Sequence, residues 1–533
     1  MKEELINTFL GKLKKLNEEQ ETKIRTILNK LYEHQIESLI QVYNTKKGIV
    51  VLPTGVGKTF LEAAIIAIDI ILNKNKHKLY VVNAPRIILS YQLLLEFYKF
   101  LIEFNLESRF MCVHSGNDLD ETQLEDIRKD STIPYSEINA TTSHEQITNM
   151  IEISKFQNLP LIIFSTYHSA DKIESAKPID SKIDILLNDE AHYLVQNNFH
   201  DLLNVLTCER NYFFTATTKN TESDLGFGMN NVESFGEILY QMVPRKAIEL
   251  GFMIRPRIHF IKTDSKLTID NFNKNIGQVI HETYKQHQYV LDGINPKMLI
   301  SAKGVDNLIQ FRHSEEYKKL IAKGIDIFMV TSNDEIGNMI NGQNYSRLDF
   351  LNKLKEYGKN PEKRFIVIHF DIISEGVDIS GFTGVFILRT LGKSKFLQTY
   401  GRIARLHLVD KENLSLGKMQ VHELDRYLKP YGWIIIPSIL SEDEDNKKYL
   451  CNLINELRDY GFKPNEDIKF TETDPASIRE LEGPDALMQI KIKSKTVYDA
   501  IQKLEAEYED EKLASLTTIE EKLDFMGELF KEE

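Results

Sequence analysis

The stretch Leu52-Pro-Thr-Gly-Val-Gly-Lys-Thr59 constrains the fold more than any other part of the chain. It follows an apolar run, Gly48–Leu52, that reads as a buried strand, and it precedes Thr59–Asn73, which reads as a helix. Gly55 and Gly57 let the backbone curl so that its N–H groups face a polyphosphate, with Thr54 and Val56 completing the loop. The helix start adds its positive dipole end, Lys58 reaches terminal phosphates, and Thr59 offers a hydroxyl to Mg²⁺. Leu52 stands where the strict pattern has its first glycine, so the match is incomplete. Strand, loop and helix in this order call for a parallel sheet covered by helices.

The rest of the chain supplies such a sheet twice. Apolar runs at Leu79–Asn83, Arg109–Val113, Leu159–Ser165, Ile183–Leu187 and Tyr212–Thr215 read as strands. Helical patterns at Ile87–Phe104 and Ser143–Phe156 separate some of them, Asn117–Thr142 reads as polar loop, and Lys219–Glu233 as a surface segment. The rhythm pauses around Gly251–Pro256. It restarts with strands at Arg257–Lys262, Met298–Ser301, Ile325–Val330, Phe365–His369, Val385–Leu388 and Trp433–Ile436. The expected fold class is α/β. Amphipathic helix is expected over the first thirty residues and helix-like sequence after Pro437. The expected segments are therefore 1–30, 31–252, 253–440 and 441–533.

Composition narrows the function classes. Lys and Arg total 66 against 79 Asp and Glu, a formal charge of −13, so a polyanion site must be a local patch or cleft. Cys112, Cys208 and Cys451 lie far apart and form no Cys-x-x-Cys pair, which excludes a zinc ribbon or a disulfide framework. The start lacks a basic-then-apolar signal pattern, and the apolar run Ala63–Leu72 is interrupted by Asp69. The expectation is a cytoplasmic protein without a membrane segment.

A second motif, Asp189-Glu-Ala-His192, closes the strand at Ile183–Leu187. Asp189 can hold Mg²⁺ while Glu190 polarises an attacking water, and ligands collect at that end of a parallel sheet. With Gln398-Thr-Tyr-Gly-Arg-Ile-Ala-Arg405, these motifs resemble a DEAH-box helicase of superfamily 2. Tyr32-Glu-His-Gln35 resembles the upstream glutamine motif that reads adenine. Ala84-Pro-Arg86 with Gln92 resembles motif Ia, Ser165-Thr-Tyr167 motif Ib and Thr215-Ala-Thr217 motif III. Ile300-Ser301 lies where motif IV is expected, and Ile373-Ser-Glu-Gly-Val-Asp378 resembles motif V. The likeness runs from about Leu31 to Pro437. It is closest to restriction-subunit-like helicases of the type III restriction and phage kind, through Phe235-Gly-Glu, Ala247–Gly251 and Trp433–Pro437.

The resemblance implies two tandem RecA-like lobes with ATP and Mg²⁺ between them. It assigns nucleotide binding to Gln35, the loop Thr54–Thr59, Gly376 and Asp378, and the metal to Thr59 and Asp189. It assigns catalysis to Lys58, Asp189, Glu190 and Gln398, with Arg402 and Arg405 as arginine fingers. Steps of four and seven residues would put Gln398, Arg402 and Arg405 on one helical face. One nucleic-acid strand would touch Arg86, Thr166, Tyr167, Ser301 and Ser374, while His192, Thr215 and Thr217 relay nucleotide state. DNA is favoured over RNA as the track, with a nuclease or methyltransferase subunit as a candidate partner. An ATP-driven adaptor that recruits such a partner without unwinding, or an RNA helicase, are the alternatives.

Overall fold

The structure, a computed structural model, describes residues 2–13, 16–115, 139–195, 203, 205–221, 228–261, 275–291, 293–331, 333, 335–370, 381–388, 393–437, 457, 460 and 468–471. Ser374, Gly376 and Asp378, and most of 117–142 and 441–533, lie outside the described residues. The chain divides at Ala247/Ile248 into two compact units.

The first unit is built on eight strands: β1 Lys47–Val51, β2 Leu79–Ala84, β3 Arg109–Val113, β4 Ala140–Thr141, β5 Leu161–Thr166, β6 Ile183–Asn188, β7 Cys208–Thr215 and β8 Glu237–Gln241. Their spatial order is β4-β3-β5-β2-β6-β7-β1-β8, and every pairing is parallel. β2 and β5 are buried at every residue, which is why they read as unbroken apolar runs. β8 was not legible as a strand because its residues are mostly exposed. It docks where Gly48 and Gly236 face each other: a Cβ on Gly236 would lie 2.8 Å from the Gly48 Cα.

The first thirty residues form two helices rather than one, α1 (Lys2–Lys12) and α2 (Glu18–Lys30). Asn17 starts the second: its side chain accepts from Gln20 N at 2.8 Å, and the Gln20 side chain accepts from Asn17 N at 3.2 Å. That reciprocal cap fixes a new helix start and so forces a break. Next come α3 (Glu33–Val42), α4 (Lys58–Leu72) and α5 (Ile87–Glu103). α4 is apolar on nearly every face, and Asp69, the interruption seen in the sequence, is itself buried. Arg210 Nη2 donates to its Oδ1 at 2.6 Å and Tyr80 Oη to its Oδ2 at 2.8 Å. The carboxylate thereby fastens the helix to β7 and β2.

The second unit carries β9 Arg255–Ile261, β10 Lys297–Ser301, β11 Asp326–Val330, β12 Asn338–Ile340, β13 Gln343–Asn344, β14 Phe365–His369, β15 Gly384–Ile387, β16 Tyr431–Pro437 and β17 Ile468–Thr471. The order is β13-β12-β11-β14-β10-β15-β16-β9-β17, parallel except for the short β12–β13 hairpin and its pairing with β11 at one edge. Its core gathers Met298, Ile300, Phe311, Ile327, Ile366, Phe386 and Ile435. β17 corrects the helical reading of the C-terminal segment at Ile468–Thr471, which pairs with the outer side of β9. Among the described residues no helix is long and apolar enough to cross a membrane.

Candidate active site

The loop after β1 is built by backbone geometry and braced from α3. Gly55 and Gly57 have φ of 92° and 88°, the left-handed region that a side chain disfavours. Leu52 N donates to the Thr215 carbonyl at 2.9 Å, tying the loop's start to the end of β7. Gln35 Nε2 donates to the Gly57 carbonyl at 2.8 Å, and His34 Nε2 lies 3.0 Å from the Val56 carbonyl. Gln35 Oε1 accepts from Tyr32 N at 2.8 Å, so both ends of this buried amide are engaged. A Cβ at Gly57 would meet Gln35 Nε2 at 2.5 Å. Lys58 opens α4, where the first amides of a helix have no intrahelical acceptor.

β6 delivers the acids. Lys58 Nζ lies 2.7 Å from Asp189 Oδ1 and 2.9 Å from Glu190 Oε1. Asp189 N donates to the Asn83 carbonyl at 2.9 Å and Tyr167 Oη to the Asp189 carbonyl at 2.6 Å, so the acidic turn is held by β2 and the end of β5. Glu190 has φ of 51°, an uncommon conformation for a non-glycine residue, with its N–H donating to Asp189 Oδ1 at 2.8 Å. A third carboxyl, Glu62, lies one helical turn beyond Lys58 on α4 and is fully buried. Burial and the charge of Asp189 hold the Glu62 carboxyl well above the usual carboxylate range. Burial also raises Asp189, against the pull of Lys58. Burial opposes the charge on Lys58, but Asp189, Glu190 and Glu62 outweigh it and keep the ammonium protonated. Glu62 was missed in the sequence; an acid in the apolar face of the helix after the loop was the available signal.

From Glu190 a polar chain leads across the sheet end. Glu190 Oε2 lies 3.4 Å from His192 Nδ1, which lies 3.0 Å from Thr215 Oγ1. Thr215 Oγ1 donates to the Thr217 carbonyl at 2.8 Å and accepts from Thr217 N at 3.2 Å. Burial, with Lys219 and Lys58 nearby, drives the His192 pKa down to about 3, so the ring is neutral near pH 7. The structure thus joins His192, Thr215 and Thr217 to the acidic turn.

The expected strand contacts are placed less uniformly. Arg86 is exposed at the start of α5. Thr166 is buried, its hydroxyl donating to Ser169 Oγ at 3.1 Å. Tyr167 departs from the expectation: it is buried and its hydroxyl is spent on Asp189, which makes it a support of the acidic turn. Ser301 is buried at the end of β10.

In the second unit, helix Lys393–Ile403 carries Gln398 and Arg402, and Arg402 is buried in its last turn. The helix stops at Ile403, so Arg405 does not continue the helical face that spacing suggested. Ile254 N donates to the Ala404 carbonyl at 2.8 Å, and Arg405 forms an isolated antiparallel bridge with Met253. Capture of the chain by that extended segment ends the helix. Burial lowers the Arg405 pKa to about 10.

Residues 13–220 match the family described as "Type III restriction enzyme, res subunit". No curated protein matches the sequence. In fold the chain is similar to the type ISP restriction-modification enzyme LlaBIII bound to DNA, at 18% identity and TM-score 0.56, over 87% of this chain and 32% of that one. It is similar to a fragment of a putative type I restriction HsdR subunit from Vibrio vulnificus, at 14% identity and TM-score 0.50, over 83% and 69%. It is similar also to S. cerevisiae Dbp5 bound to RNA and ADP BeF3, at 14% identity and TM-score 0.50, over 87% and 96%. The chain therefore spans about a third of the LlaBIII enzyme. The two sheets are tandem RecA-like lobes, and the class is that of superfamily 2 helicase folds related to restriction subunits.

Proposed function

We propose that the protein is an ATP-dependent helicase or translocase of the DEAH-box kind that moves along nucleic acid, DNA in preference to RNA. The observation that carries this is Lys58, at the mouth of a left-handed glycine loop, shared between Asp189 and Glu190. An ammonium held by two acids beneath open helix amides suits a polyphosphate that arrives with a cation. The donor set fits Mg²⁺: hard oxygens from Asp189 and the Thr59 hydroxyl, with no sulfur or imidazole required. Mg²⁺, when bound, neutralises charge on the phosphate oxygens. Lys58 exchanges its carboxylate partners for terminal phosphate, and Glu190 orients the attacking water. Arg402 and Arg405 supply positive charge to the transferring group, with Gln398 assisting. Gln35 braces the loop from the adenine side, and Gly376 and Asp378 complete nucleotide binding. Arg86, Ser301 and Ser374 are the strand contacts of this reading, with Thr166 and Tyr167 supporting them from the first unit. His192, Thr215 and Thr217 pass nucleotide state toward the strand. A nuclease or methyltransferase partner suits the restriction relationship.

The test is ATP hydrolysis measured alone and with single-stranded DNA, duplex DNA, branched DNA and RNA. Stimulation of several-fold or more, largest with a DNA, is expected. Absence of hydrolysis with every one of them would overturn the proposal.

A further inference from the structure

A lysine that no motif explains lies behind Arg405. Lys429 is 2% exposed, and its Nζ donates to the Arg405 carbonyl at 2.7 Å. Burying an ammonium is costly, and a backbone carbonyl that needs a donor could be satisfied by a neutral group. Burial pulls the Lys429 pKa down to about 7, with Asp410 opposing the fall and Lys297 and Arg405 adding to it. Lys429 is itself anchored. Asp410, fully buried in the first turn of helix Leu408–Ser415, accepts from Leu428 N at 2.8 Å and Lys429 N at 3.0 Å.

The consequence is geometric. On the N-terminal side of Arg405, the Ala404 carbonyl is held by Ile254 N and the Arg405 backbone by the bridge to Met253. On the C-terminal side, the Arg405 carbonyl is held by Lys429. Peptide groups are planar, so fixing the peptides on both sides fixes φ and ψ and with them the direction in which the side chain leaves the backbone. We infer that Lys429, anchored by Asp410, is a positioning residue that aims the Arg405 guanidinium at the nucleotide. This rests on the reading of Arg405 as an arginine finger.

A double-mutant cycle tests it on the full chain. kcat and KM for ATP are measured with saturating single-stranded DNA for the wild type, K429M, R405A and K429M/R405A. K429M keeps the length of the side chain and removes the donor. It should lower kcat by on the order of tenfold to a hundredfold with KM changed less than about twofold. Added to R405A it should cost nothing further, to within about twofold, because its effect passes through Arg405. A K429M enzyme with normal kcat, or losses that multiply in the double mutant, overturns the inference. If K429M does not fold, D410N in the same cycle decides by the same criterion. Normal turnover by R405A would instead sink the finger reading itself, an outcome distinct from failure of the cycle.

Discussion

At the scale of single residues, Glu190 concentrates the chemistry. It occupies a left-handed conformation at φ 51°, which for a side chain of this size costs on the order of 1–3 kcal/mol. The cost is met by the Glu190 N–H bond to Asp189 Oδ1 and by the grip of Tyr167 on the Asp189 carbonyl. What the turn achieves is a carboxylate that faces Lys58 through one oxygen and His192 through the other. Glu190→Gln keeps the shape and removes the charge that orients a water. ATP should still bind, while hydrolysis should fall by about a hundredfold or more. Equilibrium binding of a fluorescent ATP analogue beside single-turnover hydrolysis separates the two effects. Retained turnover would remove Glu190 from its role. The sequence showed the Asp-Glu pair and its place after a strand, but not the turn that lets neighbouring acids share one lysine.

At the scale of elements, α4 is the piece through which the site and the core meet. Its N-terminus carries Lys58 and its far end is fastened by Asp69 to Arg210 and Tyr80. Removing one member of a buried ion pair typically costs about 3–5 kcal/mol, and Arg210 is 22% exposed, so the lower part of that range is the better guide. Asp69→Ala should therefore lower the midpoint of the first unit's unfolding by roughly 5–10 °C. Differential scanning calorimetry checks this, and an unchanged midpoint would mean the pair contributes nothing net. The same helix shows what could be read in advance and what could not. Its apolar run and glycine loop were explicit, whereas Asp69 looked like a mere interruption because its partners lie on distant strands. Strands buried on both faces, such as β2, β5, β10 and β14, announced themselves as apolar runs. The edge strands β8 and β17 did not, since an edge is specified by the neighbour it covers. The end of the helix at Ile403 was equally hidden, being set by the Ile254 amide rather than by a local stop signal.

At the scale of the whole molecule, both units bury histidines in neutral form, and this sets how the protein answers to acid. Burial drives His114 to about 4 in the first unit. In the second it drives His259 to about 4, His287 to about 3, with the neighbouring His259 adding to the fall, and His407 to about 4, with Lys297 and Lys429 adding. Each folded pKa lies below the unfolded value near 6.5, so between these values the unfolded chain binds fewer protons only once pH exceeds about 6.5, and more protons below it. Stability then rises with pH across that window and is lost as pH falls from about 6.5 toward 4. A tenfold difference in proton affinity between the folded and unfolded chain corresponds to about 1.4 kcal/mol. Glu62 and Asp410, raised by burial, act with the opposite sign: their contribution is present at low pH and lost as pH rises through their folded values. Four histidines against two carboxyls leaves the acid side weaker. The unfolding midpoint should fall steadily from pH 7 to pH 5, and His287→Gln should make that slope shallower. A midpoint that stays flat over those two pH units would show that the rings are open to protonation in the folded chain, and that the sheets are less closed around them than their packing indicates.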